Sequence, residues 1–468
     1  MKKKIIGFSF LFLFIVLVII GYKNYDKSIK IEKNVNIASS TTEDIKMSGI
    51  YNPIYIAPDK NTTAPQYHFT GDTNTGIGWE ADDELGFYTG GMKKMSIDSL
   101  GALKYQGWTM ATSTVVCMYP EQCEYQCDGT ADDVQINEAN EFTYNKGGGR
   151  VNIKNATYDI TDNIVVKRGV NILGESKEGT ILLLKNNATF SDAGMIRFKD
   201  ISDRVQYASL KNITLDGNRD NQGTTTSNLY GVYAEGDYIT VENNIIKNHV
   251  GYGVDPHESL AGEYSLYFNT LYNYIDNCGT TTNGSCGITY DFNKYGKIIG
   301  NIVTNSGHHG ISMVTGSLNI LIEKNIISTT TGHGISITNN CNNITIKDND
   351  IYWAGDSGIY ISSADNNNII NNTITYSYER GMRIYKSSHN NIIQNFLMYN
   401  ARKEGSVDEL QLDDNGSEYS TYNNVSLNHI TASTARYGIR EDAAGNNYNI
   451  ITSNIVTGAV TGNISSKE

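Results

Sequence analysis

Gly287-Ile288-Thr289-Tyr290-Asp291, Gly310-Ile311-Ser312-Met313-Val314, Gly334-Ile335-Ser336-Ile337-Thr338, Gly358-Ile359-Tyr360-Ile361-Ser362 and Gly381-Met382-Arg383-Ile384-Tyr385 repeat one short phrase. Their glycines are 23, 24, 24 and 23 residues apart. In each, the first and third residues after glycine are mostly aliphatic and face inward. The second and fourth face outward, the period-two pattern of a half-buried strand. The phrase recurs more loosely at Gly231, Gly253, Glu409 and Gly438.

A second series sets an asparagine before an apolar pair or alternation, at Asn244, Asn273, Asn301, Asn325, Asn349, Asn372, Asn395, Asn428 and Asn454. A period of this size with two or three short β runs is one coil of a parallel β-helix. Stacked asparagines at equivalent turns would satisfy turn backbone groups. A leucine-rich repeat would need leucine at fixed positions and a helical half-repeat, and neither is present. The reading is an all-β fold, a right-handed single-stranded parallel β-helix.

Superposed coils give two outward columns. The second positions are Asp255, Thr289, Ser312, Ser336, Tyr360, Arg383, Gln411 and Arg440. The fourth positions are His257, Asp291, Val314, Thr338, Ser362, Tyr385, Asp413 and Asp442. Coils stack ~4.8 Å apart, so these columns make a face roughly 35 Å long. Carboxylates, hydroxyls, aromatic rings and guanidinium groups along such a ribbon suit a linear polysaccharide.

The rest of the chain frames this domain. Lys2-Lys3-Lys4 and the apolar run from Ile5 to Ile20 read as an N-terminal membrane anchor or signal segment over residues 1–22. Either form places the remainder outside the cytoplasm, at the cell surface or secreted. Residues 23–66 hold three of the five prolines and read as a polar stalk. Residues 67–110 form a small Gly-rich β module resembling segments of phage tail fibres and trimeric surface proteins, which is compatible with a homo-oligomer. The β-helix then occupies 111–468, opening with a short helix near 133–145. A net charge of −13 argues against nucleic acid as a partner. Six cysteines fit an oxidising compartment, with Cys278 and Cys286 a candidate pair across a loop.

Only one proline lies beyond residue 120, in Tyr252-Gly253-Val254-Asp255-Pro256-His257-Glu258. Proline cannot donate to a sheet ladder, so its presence marks a local demand. Asp255 and His257 share parity and should face outward about 7 Å apart. Tyr252 has the wrong parity for a straight strand and joins them only if the chain bends at Gly253. Asp291 lies one coil along the His257 column, and His308 and His309 two coils from Tyr252. His333, His389 and His429 read as surface residues. Such groups around one sugar suit proton abstraction from C5 of a uronate, which needs a base and a neutralised substrate carboxylate.

The segment Tyr252–Glu258 resembles the signature of the mannuronan C5-epimerase (alginate epimerase) family, within the pectate-lyase-like β-helices. The similarity extends through Asp216-Gly217-Asn218-Arg219, Thr289-Tyr290-Asp291, His309-Gly310-Ile311 and Tyr437-Gly438-Ile439. The resemblance implies Tyr252 and His257 as catalytic tyrosine and histidine, with Asp255 and Asp291 as essential aspartates and His309 in support. An acidic uronate polymer, alginate, is the implied partner. Two family cations are missing: His308 replaces an arginine, and a lysine position falls at Ser362. Neutralisation of the substrate carboxylate then passes to His308, Arg383, Lys386 or calcium. Arg383, Lys386, Arg440 and Tyr360 are candidate substrate contacts; the cations could equally balance nearby carboxylates. Several family members use calcium, though no calcium loop is evident, and no organic cofactor is implied. A β-eliminating lyase on the same site and a non-catalytic carbohydrate-binding fibre are the alternative readings.

Overall fold

A side chain on the recurring glycines would collide with the next coil. A Cβ built on Gly253 would stand 2.5 Å from the carbonyl oxygen of Gly287, and one on Gly334 would stand 2.6 Å from that of Gly358. At these rungs coil stacking leaves no room for a Cβ, and glycine recurs there. The computed structural model describes residues 112–465 with short gaps, the longest at 200–203 and 224–227, and strands and turns between 54 and 109.

Three parallel sheets of 14, 12 and 12 strands run along the solenoid. The glycine phrase builds the third of these, which includes Val232–Ala234, Val254–Pro256, Ile288–Asp291, Ile311–Val314, Ile335–Thr338, Ile359–Ser362, Met382–Tyr385 and Leu410–Asp413. Its register is that of the superposed columns. Thr289, Ser312, Ser336, Tyr360, Arg383, Gln411 and Arg440 pair in succession. His257 bridges to Asp291 across the break at Pro256.

Inside, Val254, Ile288, Ile311, Ile335 and Ile359 stack rung on rung with no exposed surface. Each such side chain contributes roughly 1.5–3 kcal/mol by leaving water. The asparagine series forms a continuous buried ladder. Each Nδ2 donates to the Oδ1 of the next rung at 2.9–3.0 Å from Asn244 to Asn454. The same Oδ1 atoms accept backbone N–H groups, and a second Nδ2 bond reaches a carbonyl of the preceding coil. Polar groups at these corners are thereby satisfied without water.

Coil corners require left-handed backbone. Tyr207, Tyr238, Tyr267 and Tyr295 hold φ between 55° and 61°. That conformation costs ~1–2 kcal/mol in a residue with a Cβ. Here the rings stack at 4.9, 4.9 and 5.3 Å between centroids, an offset of roughly 0.5–1.5 kcal/mol per pair. Much of the tyrosine load thus serves corners.

The helix Asp133–Asn145 buries Ile136 and Ala139 at the first coils. Asp132 and Asp133 accept the backbone N–H groups of Asp159 and Thr161 at 2.8 and 2.7 Å. Strands between residues 54 and 109 make a seven-stranded antiparallel meander. It begins at Ile54–Ile56, inside the stretch read as stalk. Residues 1–22 lie outside the described residues, among which no helix is long and apolar enough to cross a membrane.

Cys117 pairs with Cys123. Cys278 and Cys286 are both free, contrary to the pairing considered from sequence. Cys278 Sγ faces Ile246 O in the interior, whereas Cys286 Sγ faces His308 Nδ1 on the other side of the coil wall.

Glu409 takes a glycine slot and is fully buried, with Oε1 accepting the Asn400 N–H at 2.9 Å. Burial outweighs that bond and pushes its carboxyl up to about 8 from an ordinary 4.5. The folded chain keeps a proton that the unfolded chain releases, so this stabilisation is complete below 4.5 and declines as pH rises through about 8. Melting temperatures between pH 6 and 8.5 should fall less steeply for Glu409→Gln than for the native chain. Asn349→Ala should cost on the order of 3 kcal/mol, because it strands the Asn325 N–H and the Ile322 carbonyl. A lower guanidinium midpoint would register that loss.

Candidate active site

The residue before each glycine forms a third outward column: Tyr230, Tyr252, Cys286, His309, His333, Ser357 and Arg380. Backbone bonds fix the order, from Gly231 N–H to Tyr252 O, Gly253 N–H to Cys286 O, Gly287 N–H to His309 O and Gly310 N–H to His333 O. The tight glycine turns the chain so that Tyr252 shares a face with Asp255 despite its parity. Tyr252 packs edge-on against Tyr230, with centroids 4.9 Å apart.

Asp255 is the centre of this cluster. Its side chain points outward yet is only 3% exposed, walled by its neighbours. Tyr230, Tyr233, Tyr252, Cys286 and Asp291 all lie within electrostatic reach of it. Burial first, and the Asp291 charge second, hold its carboxyl well above the usual range. Both influences favour its protonated form over the carboxylate, and its Oδ1 has no hydrogen-bond partner in the protein.

His257 stands at the rim of the cluster, its side chain 38% exposed, with Nδ1 3.2 Å from Asp291 Oδ2. That contact orients the ring and leaves Nε2 outward. Tyr233 stacks on it at 6.2 Å. Burial raises the Tyr252 phenol above its ordinary value, with Asp255 the next cause. Tyr252 thus holds its proton, as a donor should. The cluster sets an oriented imidazole and a protonated phenol around one buried carboxyl.

Five of the sequence candidates converge here or beside it: Tyr252, Asp255, His257, Asp291 and, one rung past Cys286, His309. His308 leans on His309 at 3.7 Å between centroids, with Nδ1 3.1 Å from Gly284 O. The candidate cations are elsewhere. Arg383 is five coils from Asp255, roughly 24 Å at ~4.8 Å per coil. It pairs with Asp413 and covers Tyr360 and Tyr385. Lys386 bonds Glu418 at 3.0 Å, and Arg440 lies between Asp408 and Asp442. Carboxylates of the chain already occupy all three. Among the described residues no three His, Cys, Asp or Glu side chains converge on a metal position.

Sequence reading missed Tyr230, Tyr233, Cys286 and His333. Aligning the residue before each glycine would have found Tyr230, Cys286 and His333. His333 is not the surface residue expected, since its side chain is only 12% exposed between His309 and Tyr360. Arg204 had no signal at all. It bonds Asp237 at 3.1 Å and clamps the buried Glu258, the residue after His257.

Residues 196–352 match the family described as "Right handed beta helix region". Mannuronan C5-epimerase AlgE2 of Azotobacter vinelandii is 26% identical over 211 residues, covering 42% of this chain and 20% of that protein. Alginate lyase 7 of the same organism is 27% identical over 207 residues, covering 42% and 23%. Its relatives modify alginate. The chain spans about a fifth of the length of these curated relatives. Among solved structures, the A-module of Azotobacter vinelandii mannuronan C-5 epimerase AlgE4 superposes with a TM-score of 0.65 at 21% identity, covering 73% of this chain and 95% of that module. The right-handed solenoid is thereby shared.

Gly253→Ala should destabilise by roughly 1–3 kcal/mol, since the added methyl meets backbone rather than a movable side chain. Gly223→Ala, which meets open space, serves as the control in thermal melting.

Proposed function

We propose that this protein is a polymer-level uronate C5-epimerase acting on alginate, converting mannuronate to guluronate within the chain. The observation that supports it most is the Tyr252–Asp255–His257–Asp291 cluster at the single proline break of the repeat. The similarity to mannuronan C5-epimerases points the same way.

The reaction removes a weakly acidic proton alpha to a carboxylate and returns one to the opposite face. His257, oriented by Asp291, takes the C5 proton. The negative charge then spreads onto the substrate carboxylate, which must be stabilised. With Arg383, Lys386 and Arg440 distant and paired, that stabilisation falls to the cluster itself, where burial favours the protonated, donating form of Asp255. Tyr252, which keeps its proton in the free protein, supplies it to the other face of C5. Expulsion of the C4 oxygen from the same carbanion gives a lyase, a second reading favoured by the likeness to alginate lyase 7. The Cys117–Cys123 disulfide and the apolar run Ile5–Ile20 support an extracytoplasmic setting for the reaction.

Polymannuronate incubated with the protein in deuterated water decides the matter. Deuterium at C5 with inverted configuration and unchanged chain length is the expected result. New ultraviolet-absorbing unsaturated ends would replace epimerase by lyase, and absence of both would overturn the enzymatic reading. His257→Ala should lower turnover about 10²–10⁴-fold with an unchanged melting temperature, since the ring lies at the rim.

A further inference from the structure

The column that carries Tyr252 also carries two imidazoles that the proposed chemistry leaves unused. His309 and His333 stack at 4.8 Å between centroids with a 17° interplanar angle, and His333 stacks on Tyr360 at 4.4 Å. The backbone N–H of His333 donates to His309 Nδ1 at 3.0 Å. One coil further, the Ser357 N–H donates to His333 Nδ1 at 3.2 Å. A ring nitrogen that accepts an amide hydrogen bears none of its own, so each neutral ring carries its proton on Nε2. Repetition of the coil repeats the tautomer.

Protonation of either ring would turn an N–H donor toward an amide N–H donor. Burial, with neighbouring imidazoles adding to it, pushes His309 down to about 2. Burial likewise pushes His333 down to about 4, opposed by Asp356, whose Oδ1 is 3.6 Å from Nδ1, and by Glu379. His308 and Arg383 oppose protonation as well. Among the described residues no protein acceptor bonds either Nε2. The two rings therefore behave as fixed, uncharged donors one coil apart. They stand two and three rungs from Tyr252, roughly 10 and 14 Å along the axis.

We propose that His309 and His333 form a substrate subsite, an imidazole ladder that donates Nε2–H bonds to hydroxyl or carboxylate oxygens of the sugar units beyond the reacting one. This rests on the uronate-polymer reading above. Sugar units of a linear polymer advance by about one coil rise, so consecutive units meet consecutive donors. An uncharged ladder grips an anionic chain without the salt-sensitive attraction that a row of cations would exert.

Binding without turnover separates this proposal from the reaction itself. Polymannuronate is titrated calorimetrically into the His257→Ala protein, alone and combined with His333→Leu or His333→Gln. Leu should weaken binding about tenfold, by the same factor at 50 and 300 mM salt. Gln can accept the Ser357 amide and still donate, and should recover most of the loss. Mannuronate oligomers too short to reach the third rung should not distinguish the variants. A polymer affinity equal in all three proteins would overturn the ladder and leave the proposed reaction standing. Failure of the His257→Ala parent to bind polymannuronate would overturn both. Should the Leu variant not fold, ring ¹⁵N spectra of histidine-labelled His257→Ala protein decide: Nε2-protonated His309 and His333 signals must shift when polymer is added, and unmoved signals reject the subsite.

Discussion

Everything on the outer face depends on coils that sit in strict register, and one buried chain of amides enforces it. From Asn244 to Asn454 each rung's Nδ2 donates to the Oδ1 of the next, and that oxygen also takes a backbone N–H of the coil before it. A slip of one residue would break these bonds at every corner and turn the aliphatic rows outward. The glycines add a steric check, since a Cβ at those rungs would meet the next coil. Columns of functional side chains are a by-product of that alignment.

Register alone does not make chemistry. The cluster around Asp255 acquires its character from crowding on an outward face. Tyrosine rings and a thiol exclude water from this carboxyl, and the Asp291 charge beside it raises its pKa further. The result is a carboxyl biased toward its protonated form beside a partly exposed imidazole. Pro256 belongs to this arrangement, because the strand that carries Asp255 pairs fully with Val232–Ala234 but only through Val254 and His257 with the coil beyond. The relaxed pairing falls where the site opens.

Charge is managed in the opposite way further along. Arg383, Lys386 and Arg440 each meet a carboxylate of the chain, and aromatic rings cover Arg383. Those residues knit the later coils together. An acidic polymer drawn to this face would meet hydroxyls, imidazoles and a buried carboxyl near the cluster, and ion pairs beyond it.

Periodicity by itself determined the solenoid, the two outward columns and the rungs of the asparagine ladder, because a repeat that stacks on copies of itself converts spacing into position. The proline and its flanking Asp255 and His257 were legible for the same reason, as the one interruption of the pattern. Only the tertiary structure decided what the neighbours do to those groups. Tyr252 reached the face through a bend that parity forbids, and His333 turned out to be enclosed. Arg204 arrived at Glu258 from 54 residues away. The raised carboxyl of Asp255 and the tautomers of His309 and His333 depend on burial and on single backbone amides, which no spacing in the sequence records.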